Sequence, residues 1–356
     1  MRNVKQPIAG IVSTLALIIL SLGFISLFSL QAFTGPISYF LLCLVPMQIV
    51  VAVLWESRHP TFVAKRSQPM RGILLILLSL GAAIVVAPLG LMTVGQGIYP
   101  PTPMLMHLII VWVPVTFWGA IIWAGFPFRP LVKNTVASGI AMLLACYAVN
   151  YLFFRIFFNY EFMREAPVYV ARQDPHGIFN ALSALVFYIT ALAIMFLLLH
   201  FDLWPLTKSA TLMKQPVLGI VWSALCLAAG AAIFYMGINV LHLDVMAFLI
   251  LVPVPFIFGT IIVLNMLENS LFGRLTQPRK GVANTIAAAI IGTVLAWIYG
   301  LLAPTLSGPV KTGPPGYEYE IWLANALLSV TFPFLIFYAE FFKMWPLRNK
   351  EAVTTN

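Results

Sequence analysis

Charge is what this sequence has least of. Of its 356 residues only 9% are Asp, Glu, Lys or Arg, while 61% are hydrophobic. A soluble domain of this length needs a polar shell over its core, and too few polar side chains are present to make one. Cysteine is also scarce. Cys43, Cys146 and Cys226 each sit inside an apolar run, which argues against a disulfide framework or a Cys-x-x-Cys metal or redox site. The familiar catalytic signatures are missing too: Walker A, His-Glu-x-x-His, Gly-x-Ser-x-Gly and Cys-x-x-Cys-His do not occur. No Asp, Glu, Lys or Arg falls near the middle of an apolar run, so a proton relay through buried carboxylates is not expected.

What the chain does have is long apolar runs. About 20 apolar residues cross a bilayer as helix, and ten such runs occur, at roughly 8–31, 37–55, 70–93, 104–124, 134–156, 179–200, 216–238, 245–266, 281–302 and 322–342. The expected fold is an all-α integral membrane protein with ten transmembrane helices. Arg2 and Lys5 precede the first run, which is too long for a cleavable signal and lacks a clear small-residue cleavage site, so it is read as the first span. Sixteen of the 20 Lys and Arg residues fall on the side of the N-terminus, leaving Arg155, Arg164, Arg172 and Lys311 on the other. This asymmetry predicts both termini in the cytoplasm of an inner or plasma membrane. The net charge of +9 then reports orientation and contact with the lipid surface, and nucleic acid is not an expected partner.

Gln-Pro-x-x-Gly occurs four times, beginning at Gln6, Gln68, Gln215 and Gln277, each time before an apolar run. The spacing predicts five related two-helix hairpins, near 6–60, 68–130, 134–205, 215–274 and 277–346. The third keeps only the glycine, in Lys133–Gly139. Proline suits a helix start, and glycine lets a neighbouring helix approach. Glutamine is not a favoured N-cap, so its amide is expected to reach an adjacent hairpin. The second helix of most units also carries proline, at Pro46, Pro114, Pro253, Pro255 and Pro333. Two loops on the outer side are long, 157–178 and 303–320. The first mixes aromatic and charged residues as an interfacial segment would. Both are candidate surfaces for a protein partner.

Candidate functional residues are few. His107, Asn150, Arg155 and Asn239 are polar groups toward the outer ends of spans, and Glu268 and Glu340 lie near inner ends. These six are the candidates for substrate binding or gating. The plainer expectation is that the asparagines bond between helices and the acids pair with nearby Lys or Arg. Met104, Met106 and His107 in one hairpin, and His242 in another, carry the soft ligands that suit copper, although Met also fills ordinary apolar gaps. No other cofactor is evident.

Three functions fit this pattern. A permease or channel-like transporter for a small neutral or weakly polar solute rests on ten spans, repeated hairpins and no soluble domain. A scaffold or anchor subunit that does not transport rests on the sparse charge and the two outer loops. A membrane-embedded enzyme acting on a lipid or isoprenoid would need Glu161, Glu165, Asp174 and His176 to gather over a lipid-open cleft.

Overall fold

The computed structural model describes residues 4–348. Among them are ten helices long and apolar enough to span a bilayer: α1 (Ile8–Ile25), α2 (Leu30–Leu54), α3 (Met70–Met92), α4 (Pro103–Ile122), α5 (Thr135–Phe157), α6 (Ala181–His200), α7 (Val217–Val240), α8 (Val245–Met266), α9 (Arg279–Ser307) and α10 (Glu318–Phe341). Arg2 and Lys350, counted in the charge asymmetry, lie outside the described residues. The last loop is shorter than the sequence suggests. α9 runs on through Pro304 and ends only where Gly308 takes φ +81°, a conformation glycine adopts without strain.

The odd-numbered helices lie outside and the even-numbered ones inside. In the most apolar stretch of each helix, 22–39% of odd-helix residues are buried against 61–72% of even-helix residues. The even helices touch in the order α2, α4, α6, α8, α10 and back to α2, which closes a ring. Each odd helix packs lengthwise on the even helix before it: α3 on α2, α5 on α4, α7 on α6, α9 on α8, with α1 on α10. The Val4 N–H donates to the Leu347 carbonyl at 3.2 Å, so the first and last described segments share one end, here called the terminal end.

At the terminal end, Gln-Pro-x-x-Gly does one job four times. Each glutamine amide oxygen accepts from the N–H of its own glycine, at 3.1 Å for Gln6, 3.2 Å for Gln68, 3.1 Å for Gln215 and 3.0 Å for Gln277. Each amide nitrogen donates to the last residue of an even helix two hairpins back around the ring, one beyond the adjacent hairpin that the sequence suggests. These acceptors are the carbonyls of Met266, Phe341, Ile122 and His200. Capping therefore does explain the glutamine. The proline holds the cap position itself (Pro7, Pro69, Pro216 and Pro278), and glutamine, one residue earlier, has the length to reach past it. The motif glycines meet the residue just after those helix ends. A Cβ on Gly72, Gly219 or Gly281 would fall within 2.4–2.8 Å of the ring of Phe342, Trp123 or Phe201.

Four even helices finish in a widened turn with i→i+5 bonds, such as Trp55 N–H to the Val50 carbonyl and Phe342 N–H to the Phe337 carbonyl. α6 ends without one. Directly after each helix two residues take positive φ, for example Glu268 and Asn269. Glu268 thus sits in the turn beyond α8, whereas Glu340 lies in the last turn of α10. The two acids are therefore not at equivalent positions in their hairpins.

His59 lies in the turn after α2, its ring 6.3 Å from that of Trp55. Burial, and then the Lys343 ammonium and Arg71 guanidinium, push its pKa down from 6.5 to about 4. The unfolded chain binds this proton at higher pH than the folded chain does, so stability falls as pH drops from 6.5 toward 4. We expect His59→Gln to reduce the loss of melting temperature between about pH 7 and about pH 5. An unchanged loss in the variant would remove His59 as the cause.

Candidate functional site

The middle of the ring is filled. Phe117 of α4 lies 5.3 Å from Phe196 of α6 and 5.8 Å from Phe332 of α10, between ring centroids. α10 is a ring neighbour of neither α4 nor α6, so these rings meet across the axis. Gln48 of α2 adds a bond from its Nε2 to the Pro333 carbonyl at 2.9 Å, and the Ser38 and Ser329 hydroxyls lie 3.1 Å apart. Aromatic rings thus meet across the axis, while amide and hydroxyl bonds join the neighbouring helices α2 and α10.

Open volume lies instead on both sides of α5. On one side is a groove of about 940 Å³. Its floor is Pro114, Trp118 and Gly119 of α4 with Ser183, Ala184 and Phe187 of α6. One wall is Ala145, Val149, Phe153 and Phe157 of α5, and the other is Leu227, Ala231, Tyr235 and Asn239 of α7. Each wall is built on an i, i+4 row, which a helix stacks along one face, with Met142 and Cys146 beside the first and Phe234 beside the second. Trp123, Phe126 and Phe128 close the terminal end, so the groove runs most of the length of the helices. Each wall row covers about 18 Å of helix, against roughly 30 Å for the hydrocarbon core. Because the walls are outer helices, the groove faces lipid. Its polar groups are few: Asn239, Tyr235, Tyr188 and Ser183 toward the far end.

On the other face of α5, at the far end, is a second cavity of about 440 Å³ between the turn after α3, α5 and the loop 157–178. Tyr147, Tyr151, Phe154 and Arg155 of α5 line it, together with Thr93, Gln96, Arg172 and Gln173. The loop is held there by buried Gln173, whose Nε2 donates to the Gly95 carbonyl at 2.7 Å and whose Oε1 accepts from the Thr102 hydroxyl. Gln96 adds a bond to the Arg172 carbonyl at 2.9 Å.

The loop itself is irregular, with only short 3₁₀ turns at Glu161–Met163 and Ala171–Gln173. Phe158–Asn159 pairs with Phe179–Asn180, and buried Asp174 gathers the rest. It accepts from the Tyr160 N–H, the Tyr169 hydroxyl at 3.0 Å and the His176 N–H at 2.8 Å. Burial, then the Asp174 carboxylate, push the Tyr160 phenol well above its ordinary pKa of 10.0, so it stays neutral. Glu161 and Glu165 are exposed, and Asp174 is engaged within the loop.

Of the candidates read from sequence, His107, Asn150 and Arg155 are brought to one region, the far half of α5. His107 Nδ1 lies 3.1 Å from the Tyr160 hydroxyl, with the rings stacked 5.5 Å apart. Asn150 Nδ2 donates to the Leu108 carbonyl at 2.7 Å. Arg155 lines the far-end cavity and Asn239 the groove. Glu340 and Glu268 are at the opposite end, joined to Lys343 at 2.9 Å and to Arg348. Met104 and Met106 are buried in α4, while His242 is exposed in the turn between α7 and α8. Sequence reading missed the groove walls, whose only signal is the small residues Ala145 and Ala231 in line with bulky neighbours. No protein-family model, curated protein or solved structure matches this chain, so the groove and the cavity beside α5 are what its own geometry offers as a site.

Proposed function

We propose that the protein is a membrane carrier for an elongated, largely apolar amphiphile of the acyl or isoprenoid class, held in the groove between α5 and α7. The observation that carries this reading is the groove itself. Its volume of about 940 Å³ lies at the upper end of ligand sites, and nearly all its lining is apolar or aromatic. A small polar solute would need a hydrated path, and the packed Phe117, Phe196 and Phe332 oppose one along the axis. In this reading the five hairpins are copies of one unit, with the third altered to make room. The excess of Lys and Arg on the terminal side supports placing that end in the cytoplasm of an inner or plasma membrane.

The test is mass spectrometry of lipids that remain with the purified protein. Wild type is expected to retain a long-chain amphiphile through detergent exchange, and Ala145→Leu with Ala231→Leu to lose most of it at an unchanged melting temperature. Equal retention by both proteins would sink the proposal. The anchor-subunit reading keeps one observation in its favour: Phe162, Val168 and Ile178 are 47%, 52% and 67% exposed in the 157–178 loop. Those side chains offer a far-end partner an apolar contact.

A further inference from the structure

We infer that the far-end cavity beside α5 binds a phosphate group, presented by an acidic lipid headgroup or as the free ion. This inference does not rest on the groove, which lies on the opposite face of α5. Three of the four basic residues at the far end, Arg155, Arg164 and Arg172, cluster within one helix end and one loop. Two of them, Arg155 and Arg172, line the cavity, and no carboxylate does. Neither makes an ion pair among the described residues, although other basic groups such as Arg129 and Lys343 do. Asp174, the nearest acid in sequence to Arg172, is committed to Tyr160, Tyr169 and His176.

The site is also built. Gln173 is 3% exposed and pins the loop through both ends of its amide, which fixes the backbone that carries Arg172. Arg155 projects from the last turn of a continuous helix. Arg155 and Arg172 are both exposed, and they bring two guanidinium forks to one cavity lined also by Tyr147, Tyr151 and Phe154. One fork satisfies a planar carboxylate, whereas a phosphate has oxygens for both at once. The tyrosines Tyr147 and Tyr151 supply apolar walls with hydroxyl tips, as suits the boundary between acyl chains and headgroups.

The experiment is native mass spectrometry on the delipidated full chain, titrated with phosphatidylglycerol, phosphatidylcholine and inorganic phosphate. We expect phosphatidylglycerol to bind more tightly than phosphatidylcholine, and R155Q with R172Q to weaken it by about tenfold or more. R164Q, outside the cavity, should leave that affinity unchanged, and the groove variant A145L with A231L should leave the preference for phosphatidylglycerol over phosphatidylcholine intact. Displacement of lipid by inorganic phosphate would assign the free ion as ligand. Binding of lipid without such displacement would assign the headgroup. Should the double glutamine variant fail to fold, R155K and R172K keep the charge, remove the fork and are expected to weaken binding in part. Affinity for phosphatidylglycerol and phosphate unaltered in the folded arginine variants would overturn the site. Loss of phosphatidylglycerol only in the groove variant would do the same.

Discussion

Gly292→Val is expected to leave no folded, monodisperse protein after detergent extraction. A Cβ at Gly292 would fall 1.8 Å from the Pro255 carbonyl oxygen, and one at Gly259 would fall 1.8 Å from that of Ala288. Both obstacles are backbone, so no rotamer change relieves them. α8 and α9 would have to move apart along the contact where they pack most closely, and that contact joins an outer helix to the inner ring. In lipid, helix association depends on such close approach because there is no hydrophobic drive between helices. We expect destabilisation beyond about 4 kcal/mol, in the range reserved for severe overpacking. That is a large part of the roughly 5–15 kcal/mol that holds a typical fold. Size-exclusion yield and melting temperature read the effect. Gly23→Ala and Gly81→Ala serve as controls, since an added Cβ there meets nothing within 4 Å. A Gly292→Val protein that melts like wild type would show that the two backbones are not in contact.

The same contact shows what the sequence could not disclose. Ten apolar runs are enough to count the spans, and all ten are present. They do not say which helices pair. Reading each unit as a hairpin suggests that its two helices pack on one another, yet the main lengthwise contacts run between successive units, as α3 on α2 and α9 on α8. The reason is layering: one helix of each unit belongs to the inner ring and the other to the outer shell. The apolar pattern cannot reveal this, because the outer surface meets lipid and is as apolar as the core. Outer residues such as Ile19, Ile84 and Trp297 are 68%, 62% and 64% exposed. In a soluble protein that exposure would be a signal, and here it is only the lipid face.

The candidate site was partly legible for a similar reason. Arg155 and Asn239 stand out as polar groups in an apolar chain and line the cavity and the groove, whereas His107 and Asn150 lie at the far half of α5 and line neither. The groove does not stand out, because Ala145, Val149, Phe153 and Phe157 are ordinary residues for a span. The third hairpin lacks Gln-Pro and carries the 157–178 loop, and in the structure both cavities flank its first helix. Its second helix, α6, also ends in an ordinary i→i+3 turn from Phe201 to Leu198, without the widened turn of the other even helices.

Gln68→Leu is expected to cost about 2–3 kcal/mol, because one side chain caps two helices and its loss strands a group on each. The Nε2 donates to the Phe341 carbonyl at 2.7 Å, closing the end of α10, while the Oε1 accepts from the Gly72 N–H at 3.2 Å, opening α3. Leucine has similar volume, so the change removes bonds with little change in packing. Gln68→Glu isolates the two roles. Its carboxylate still accepts from Gly72 and favours the positive end of α3, but it turns an acceptor toward the Phe341 carbonyl and should be at least as damaging. Asn134 offers the internal comparison. It caps only its own helix, accepting from Val136 and Ala137 at 2.9 and 3.1 Å, and reaches no other span. Asn134→Ala should therefore cost only about 1 kcal/mol, the ordinary value of an N-cap. Melting curves of the three variants in one detergent decide the matter. If Gln68→Leu costs no more than Asn134→Ala, the bond across to α10 contributes nothing. The repeated glutamine would then serve its own helix alone, not the closure of the ring.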